Sequence, residues 1–165
     1  MISNNGSAIP EEHNRRAIFV SSHHANLKTE HFLKSVRTFQ DFVTTFDLDE
    51  VSRNWQLTTA ETAARMHEVT ELLTFNRELL AEAEELMHEL SAALLLLSDR
   101  VTGLEGESND NGNVVDLARW RIMRLHSQIK IASTLDRVEA LGDMISQIGD
   151  QISLKTRRLV ALVVA

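Results

Sequence analysis

The sequence predicts an all-α protein, an elongated antiparallel helical hairpin or bundle of three long helices with coiled-coil packing. Three observations predict it. Proline occurs once and glycine six times in 165 residues, and only 5% of residues are aromatic, which is too few turn and strand formers for a β-rich chain. Apolar residues recur at three- and four-residue steps through most of the length, the period of one helical face. One such run continues without a break over residues 69–104, the heptad pattern that packs helices together.

Residues 1–25 read as a mobile or weakly helical segment, and residues 26–165 as the helical bundle domain. The first residues are rich in Ser, Asn and Gly, and Pro10-Glu11-Glu12 suits the opening turn of a short helix. The first clear helix carries Leu27, His31 or Phe32, Val36, Phe39, Val43 and Phe46 on one face. Its spacing breaks over residues 47–57. Thr58 followed by Glu61 is a capping box and marks the start of the second helix.

That helix holds the long seam: Val69, Leu73, Asn76, Leu80, Ala83, Met87, Leu90, Leu94, Leu97, Val101 and Leu104. Leu72, Leu79, Leu86 and Ala93 run one position before it, so the stripe is wide and suits a bundle of three or more helices. Residues 103–113 read as a polar, glycine-punctuated loop, with Asn113 as the next cap and Asp116 in the first turn. The third helix shows one register in Ile122, Leu125, Ile129 and Ala132. After a phase shift near Leu135 it shows another in Val138, Leu141, Ile145, Ile148, Ile152, Leu159 and Leu162. Two such helices joined by a short loop fold back on each other as an antiparallel pair.

Composition excludes several classes of chemistry. There is no cysteine, hence no disulfide, thiolate metal site or thiol nucleophile. No apolar run approaches the ~20 residues of a membrane span, and the first residues lack the layout of a secretory signal. The cytoplasm is therefore the expected location, with secretion by a signal-peptide-independent route as the alternative. The net charge of −7 is uneven: residues 47–112 carry four Lys/Arg against fifteen Asp/Glu, and residues 113–165 carry eight against five. The basic excess is interleaved with Asp116, Asp136, Asp143 and Asp150, too sparse for a nucleic-acid surface, so no nucleic-acid partner is expected.

Glu85 and His88 match a Glu-x-x-His ligand spacing, but no second copy exists and the heptad count places both on the outer face. The seven histidines are scattered, and neither a metal site nor a cofactor is expected. No phosphate loop, Ser-His-Asp order or carboxylate pair can be assembled, so no catalytic residue is assigned. Asp143 and Gln147 lie four apart on the third helix. That spacing on a helical hairpin is similar to the catalytic pair of the chemotaxis phosphatase family CheZ. There the acid and the amide orient a metal and a water against a partner's phospho-aspartate. The resemblance covers these two residues and the hairpin, while the flanking aromatic and glycine pattern and a docking tail are missing. It implies a regulatory hydrolase acting on a phosphorylated partner.

The remaining features are apolar. Leu95 and Leu96 occupy outer heptad positions, and the C-terminal run with Leu159, Leu162 and Val163 is apolar nearly all round. Leu95 and Leu96 call for cover by the first helix or by another chain; the C-terminal run suits burial in the bundle core or contact with a partner helix, with a membrane surface as a third reading. Asn76 sits in the seam as a candidate register-setting residue. The function expected from the sequence is thus a non-enzymatic helical interaction or scaffold protein that self-associates or joins partner helices. The alternatives are the phosphatase-like reading and a secreted helical effector or translocon component.

Overall fold

A computed structural model describes the backbone of residues 8–106 and 114–165, and side chains over 15–103, 119 and 121–165. Asn113, and the loop expected to hold it, lie outside the described residues from position 107 onward, as do residues 1–7; the side chains of Pro10, Glu11, Glu12 and Asp116 also lie outside. The described residues form four α-helices and no strand: α1 (Ala8–Thr45), α2 (Leu48–Asn54), α3 (Thr59–Gly106) and α4 (Val114–Val164). None of these helices is long and apolar enough to cross a membrane.

α1 begins at Ala8 and is 38 residues long. Its buried row is Ser21, Ala25, Phe32, Val36 and Phe39, while Leu27, expected on that face, is exposed. The break expected over residues 47–57 contains α2. Asp47 caps it by accepting from the Asp49 and Glu50 amides at 2.9 and 3.3 Å, and those two acids suit the positive helix end. Seven residues are too few for a hydrophobic period, so capping alone signals this helix. Trp55 follows in extended backbone, with the Arg65 guanidinium 5.1 Å from its ring centroid.

The capping box forms at the start of α3. The Thr58 amide donates to Glu61 Oε2 at 2.9 Å and the Glu61 amide donates to Thr58 Oγ1 at 3.3 Å. α3 then runs through Gly106, past Gly103, where a loop was expected. Its buried line is Val69, Leu72, Asn76, Leu79, Ala83, Leu90, Ala93 and Leu97. The core thus follows the Leu72, Leu79, Ala93 row, and Leu73, Leu80, Met87 and Leu94 are half-buried at its edge.

α4 is continuous over 51 residues, and its buried row holds one register: Ile131, Thr134, Val138, Leu141, Ile145, Ile148, Ile152, Thr156 and Leu159. The phase shift expected near Leu135 does not occur. Continued toward the start of the helix, this row meets Ser127 and Arg124, both half-buried. Ile122, Leu125, Ile129 and Ala132, expected as a seam, are exposed instead. The reason is rotational: a rigid helix carries one buried face, and these four lie on another.

The chain divides into two compact units. One comprises Met1–Asn26 and His88–Gly142, the other Leu27–Met87 and Asp143–Ala165. In the first, α3 and α4 run antiparallel, with Arg137 on Glu89 at 3.1 Å and the Arg100 guanidinium donating to the Lys130 carbonyl at 2.7 Å. Ser21 of α1 donates to Glu139 of α4 at 2.6 Å. In the second unit, Arg158 holds Glu68 Oε1 through Nε and a terminal nitrogen at 2.8 and 2.5 Å, again antiparallel. There α1 runs parallel to α4, with Lys28 on Asp143 and His31 on Asp150 at 2.8 Å. Helices packed on helices in this way make a helical bundle.

The α1–α4 contact of the second unit is close because Gly149 faces Phe32. A Cβ at 149 would stand 3.0 Å from the Phe32 Cα, whereas one at Gly103 would meet nothing within 4 Å. Two predictions follow from these local arrangements. Alanine improves an exposed helix interior by roughly 0.5–1 kcal/mol over glycine, so Gly103→Ala is expected to raise the melting temperature by about 2–4 °C. At Gly149 the same gain is outweighed by forcing two helix backbones apart, an overpacking cost of about 1–3 kcal/mol; Gly149→Ala is expected to lower it. Thermal melts by circular dichroism compare the two. The second concerns acid. Hydrogen bonds from the Thr58 hydroxyl and amide hold the Glu61 carboxyl below its ordinary range. Its contribution is therefore present at neutral pH and disappears as pH falls through the lowered value. Melts from pH 7 downward should show a smaller acid-side loss in Glu61→Gln, which has no such proton to gain.

Candidate functional site

Asp143 and Gln147 are both exposed on α4. The Asp143 carboxylate is engaged by the Lys28 ammonium of α1, and Gln147 lines a hollow of about 310 Å³ between α3 and α4. The acid of the pair is thus already held by a cation. Gln147 shares that hollow with Gln151, Glu78 and Glu82.

A larger hollow of about 610 Å³ lies in the same unit, lined by His67, Glu68, Glu71, Phe75, Lys155 and Arg158 among others. Most of its charged groups are engaged with neighbours. His67 pairs with Glu71 at 3.3 Å, Arg158 with Glu68, and Lys155 Nζ lies 4.8 Å from the Phe75 centroid. The Thr70 and Thr74 hydroxyls donate back to the Met66 and Thr70 carbonyls, which removes them as free nucleophiles. Among the described residues, no group of three or more His, Asp or Glu is placed to hold a metal ion. Glu85 and His88 are exposed.

The apolar candidates separate. Leu95 is 69% exposed and Leu96 is also exposed, both off the buried row of α3. Leu162 and Val163 are half-buried. Leu159, expected at a partner surface, is 0% exposed and belongs to the core. The C-terminal run could not reveal this from sequence, because an all-round apolar segment does not show which face turns inward. The surface that sequence reading missed is on α4, where Ile122, Leu125 and Ile129 are 69%, 59% and 60% exposed. The signal was available in Arg124 and Ser127, which lie where the buried row of α4 continues.

The two units differ in what they bury. The unit of Leu27–Met87 and Asp143–Ala165 encloses Phe32, Phe39, Leu72, Leu79, Ile145, Ile148 and Ile152. The other encloses Ser21, Ala25, Ala93 and Thr134 beside Leu90, Leu97, Ile131, Val138 and Leu141, and exposes Phe19, Leu95, Ile122, Leu125 and Ile129. Both interiors mix large and small side chains, since the unit of Leu27–Met87 and Asp143–Ala165 also buries Ser35, Asn76, Ala83 and Thr156; the buried aromatics, Phe32 and Phe39, belong to that unit.

Asn76 is fully buried between α3 and α4. Its amide nitrogen donates to Thr156 Oγ1 at 3.4 Å, and its carbonyl oxygen has no partner. Thr156 in turn donates to the Ile152 carbonyl at 2.7 Å. Comparison of the chain with protein-family models, with curated proteins and with solved structures finds no match.

A buried acceptor without a partner costs about 1–3 kcal/mol. Replacing Asn76 by leucine removes that acceptor and leaves Thr156 with its own backbone bond. Asn76→Leu is therefore expected to raise the melting temperature by several degrees. If Asn76 also sets the helix register, the same variant should show a broader elution peak in gel filtration than the parent.

Proposed function

We propose that this is a non-enzymatic helical assembly protein, acting in the cytoplasm, whose α3–α4 hairpin packs in coiled-coil fashion and whose work is done by contact with other helices. The observation that carries this reading is the set of strongly exposed large apolar side chains in the unit of Met1–Asn26 and His88–Gly142, the α4 row above all. That unit exposes Phe19, Leu95, Ile122, Leu125 and Ile129, while its core mixes Leu90, Leu97, Ile131, Val138 and Leu141 with Ser21, Ala25, Ala93 and Thr134. An exposed apolar row on one helix face, here Ile122, Leu125 and Ile129, is the kind of surface that marks an interaction site. Covering Ile122, Leu125 and Ile129 alone offers on the order of 3–5 kcal/mol, enough to matter against the cost of bringing two chains together.

Chemistry gives no competing support. The groups lining both hollows are paired with one another or lack a base and nucleophile in one place, and Asp143 is held by Lys28. The apolar stripe has the i, i+3, i+7 spacing by which one helix seats in the groove of another.

The test is solution mass by light scattering coupled to gel filtration. The parent chain is expected above its monomer mass of 18.6 kDa. Combining Leu95→Asp, Ile122→Asp and Ile129→Asp should return it to the monomer with helix content unchanged, since exposed positions tolerate substitution. Leu154→Asp, an equal loss of an exposed apolar side chain in the other unit, should leave the mass where it was. A parent chain that is a sharp monomer at every concentration removes the reading.

A further inference from the structure

We propose that the partner surface for the α4 stripe is the acid-rimmed hollow of a second copy of this chain. This names the occupant within the assembly reading and rests on it.

The stripe is basic as well as apolar. Residues 117–135 form the longest run in the sequence without Asp or Glu, and they carry Arg119, Arg121, Arg124 and Lys130. Arg119, Arg121 and Lys130 are exposed beside Ile122, Leu125 and Ile129. In a chain of net charge −7, the exposed apolar row Ile122, Leu125 and Ile129 is thus flanked by cations.

The hollow has the complementary character. Leu79 and Ile148 form its buried floor, Leu86 and Met144 its apolar walls, and Glu78 and Glu82 stand exposed at its rim. Among the described residues no Lys or Arg lines it. Along α3 the lining extends from Phe75 to Leu86, about 16 Å at the helical rise, while the stripe from Ile122 to Ile129 is about 10 Å long. The row of three side chains fits within the length of the hollow, and its cations come to the glutamate rim. An anionic membrane would take the same stripe and leave the acidic hollow unused, whereas a second copy uses both surfaces.

Charge reversal with rescue tests this on the full chain. Glu78→Lys/Glu82→Lys reverses the rim, and Arg119→Glu/Lys130→Glu reverses the stripe; all four side chains are exposed, and circular dichroism checks that each variant keeps its helix content. Each variant alone is expected to associate at least about tenfold more weakly than the parent, as opposed charges become like charges. Mixed in equal amounts, the two should regain the parent mass, because each then meets an oppositely charged partner. A parent that associates while both variants do so equally well overturns this pairing and leaves the assembly reading standing. A parent that is monomeric at every concentration overturns both. A monomeric parent that sediments with phosphatidylserine-containing vesicles, and not with phosphatidylcholine vesicles alone, assigns the stripe to a membrane and likewise overturns the pairing.

Discussion

In each of the two units α4 is the helix on which both α1 and α3 hold their polar contacts, so the row that α4 buries decides which faces remain open. That row keeps a single register from Ile131 to Leu159. Two of its members are threonines, and both are accommodated because their hydroxyls donate one turn back, Thr134 to Lys130 at 2.8 Å and Thr156 to Ile152 at 2.7 Å. A threonine satisfied in this way costs little in a core, and it lets the row continue where apolar residues fall elsewhere. The same continuity leaves Ile122, Leu125 and Ile129 outside: once Ile131 and Thr134 face inward, the 3.6-residue period carries those three away from the bundle. The exposed stripe is therefore a consequence of the core register and not of local disorder in the pattern.

The direction of each helix pair is written in charge. α4 presents Glu139, Asp143 and Asp150 to Ser21, Lys28 and His31 of the parallel α1. To the antiparallel α3 it presents Arg137 and Arg158, opposite Glu89 and Glu68. These side chains are largely exposed, and exposed pairs add little to stability. They act instead on choice: sliding α4 by a turn would place its acids or its arginines against groups that no longer match, and mismatched charges disfavour the alternatives. Stability comes from Phe32, Phe39 and the isoleucines of α4, with Gly149 allowing the α1 and α4 backbones to approach at Phe32.

Local signals carried most of the fold. The capping box at Thr58 and Glu61 is a short-range pattern and forms as expected, and of the α3 seam Val69, Asn76, Ala83, Leu90 and Leu97 are buried. α2 was hidden because seven residues hold less than two turns of period, and only the Asp47 cap marks it. Within α3 and α4 the sequence offered two apolar rows side by side, and which one turns inward depends on the neighbouring helices. That is why Leu72 displaced Leu73 in the core and Ile131 displaced Ile129. Leu95 and Leu96 could be read as surface because the heptad already excluded them. Leu159 could not be separated from its apolar neighbours, and the α4 stripe looked like a core until Arg124 and Ser127 were seen to share the buried row.

Apolar area alone makes a sticky surface and gives no choice of partner. For a chain of net charge −7, two copies repel at long range, so most collisions between them bring acid against acid. The proposed pairing is a collision of another kind, which brings residues 117–135, free of acids, to the Glu78 and Glu82 rim. In the proposed pairing the electrostatic field favours approach there, with the apolar stripe facing the apolar floor behind it. On that proposal charge selects the encounter and burial supplies the affinity, so added salt should weaken the first step while leaving the second intact.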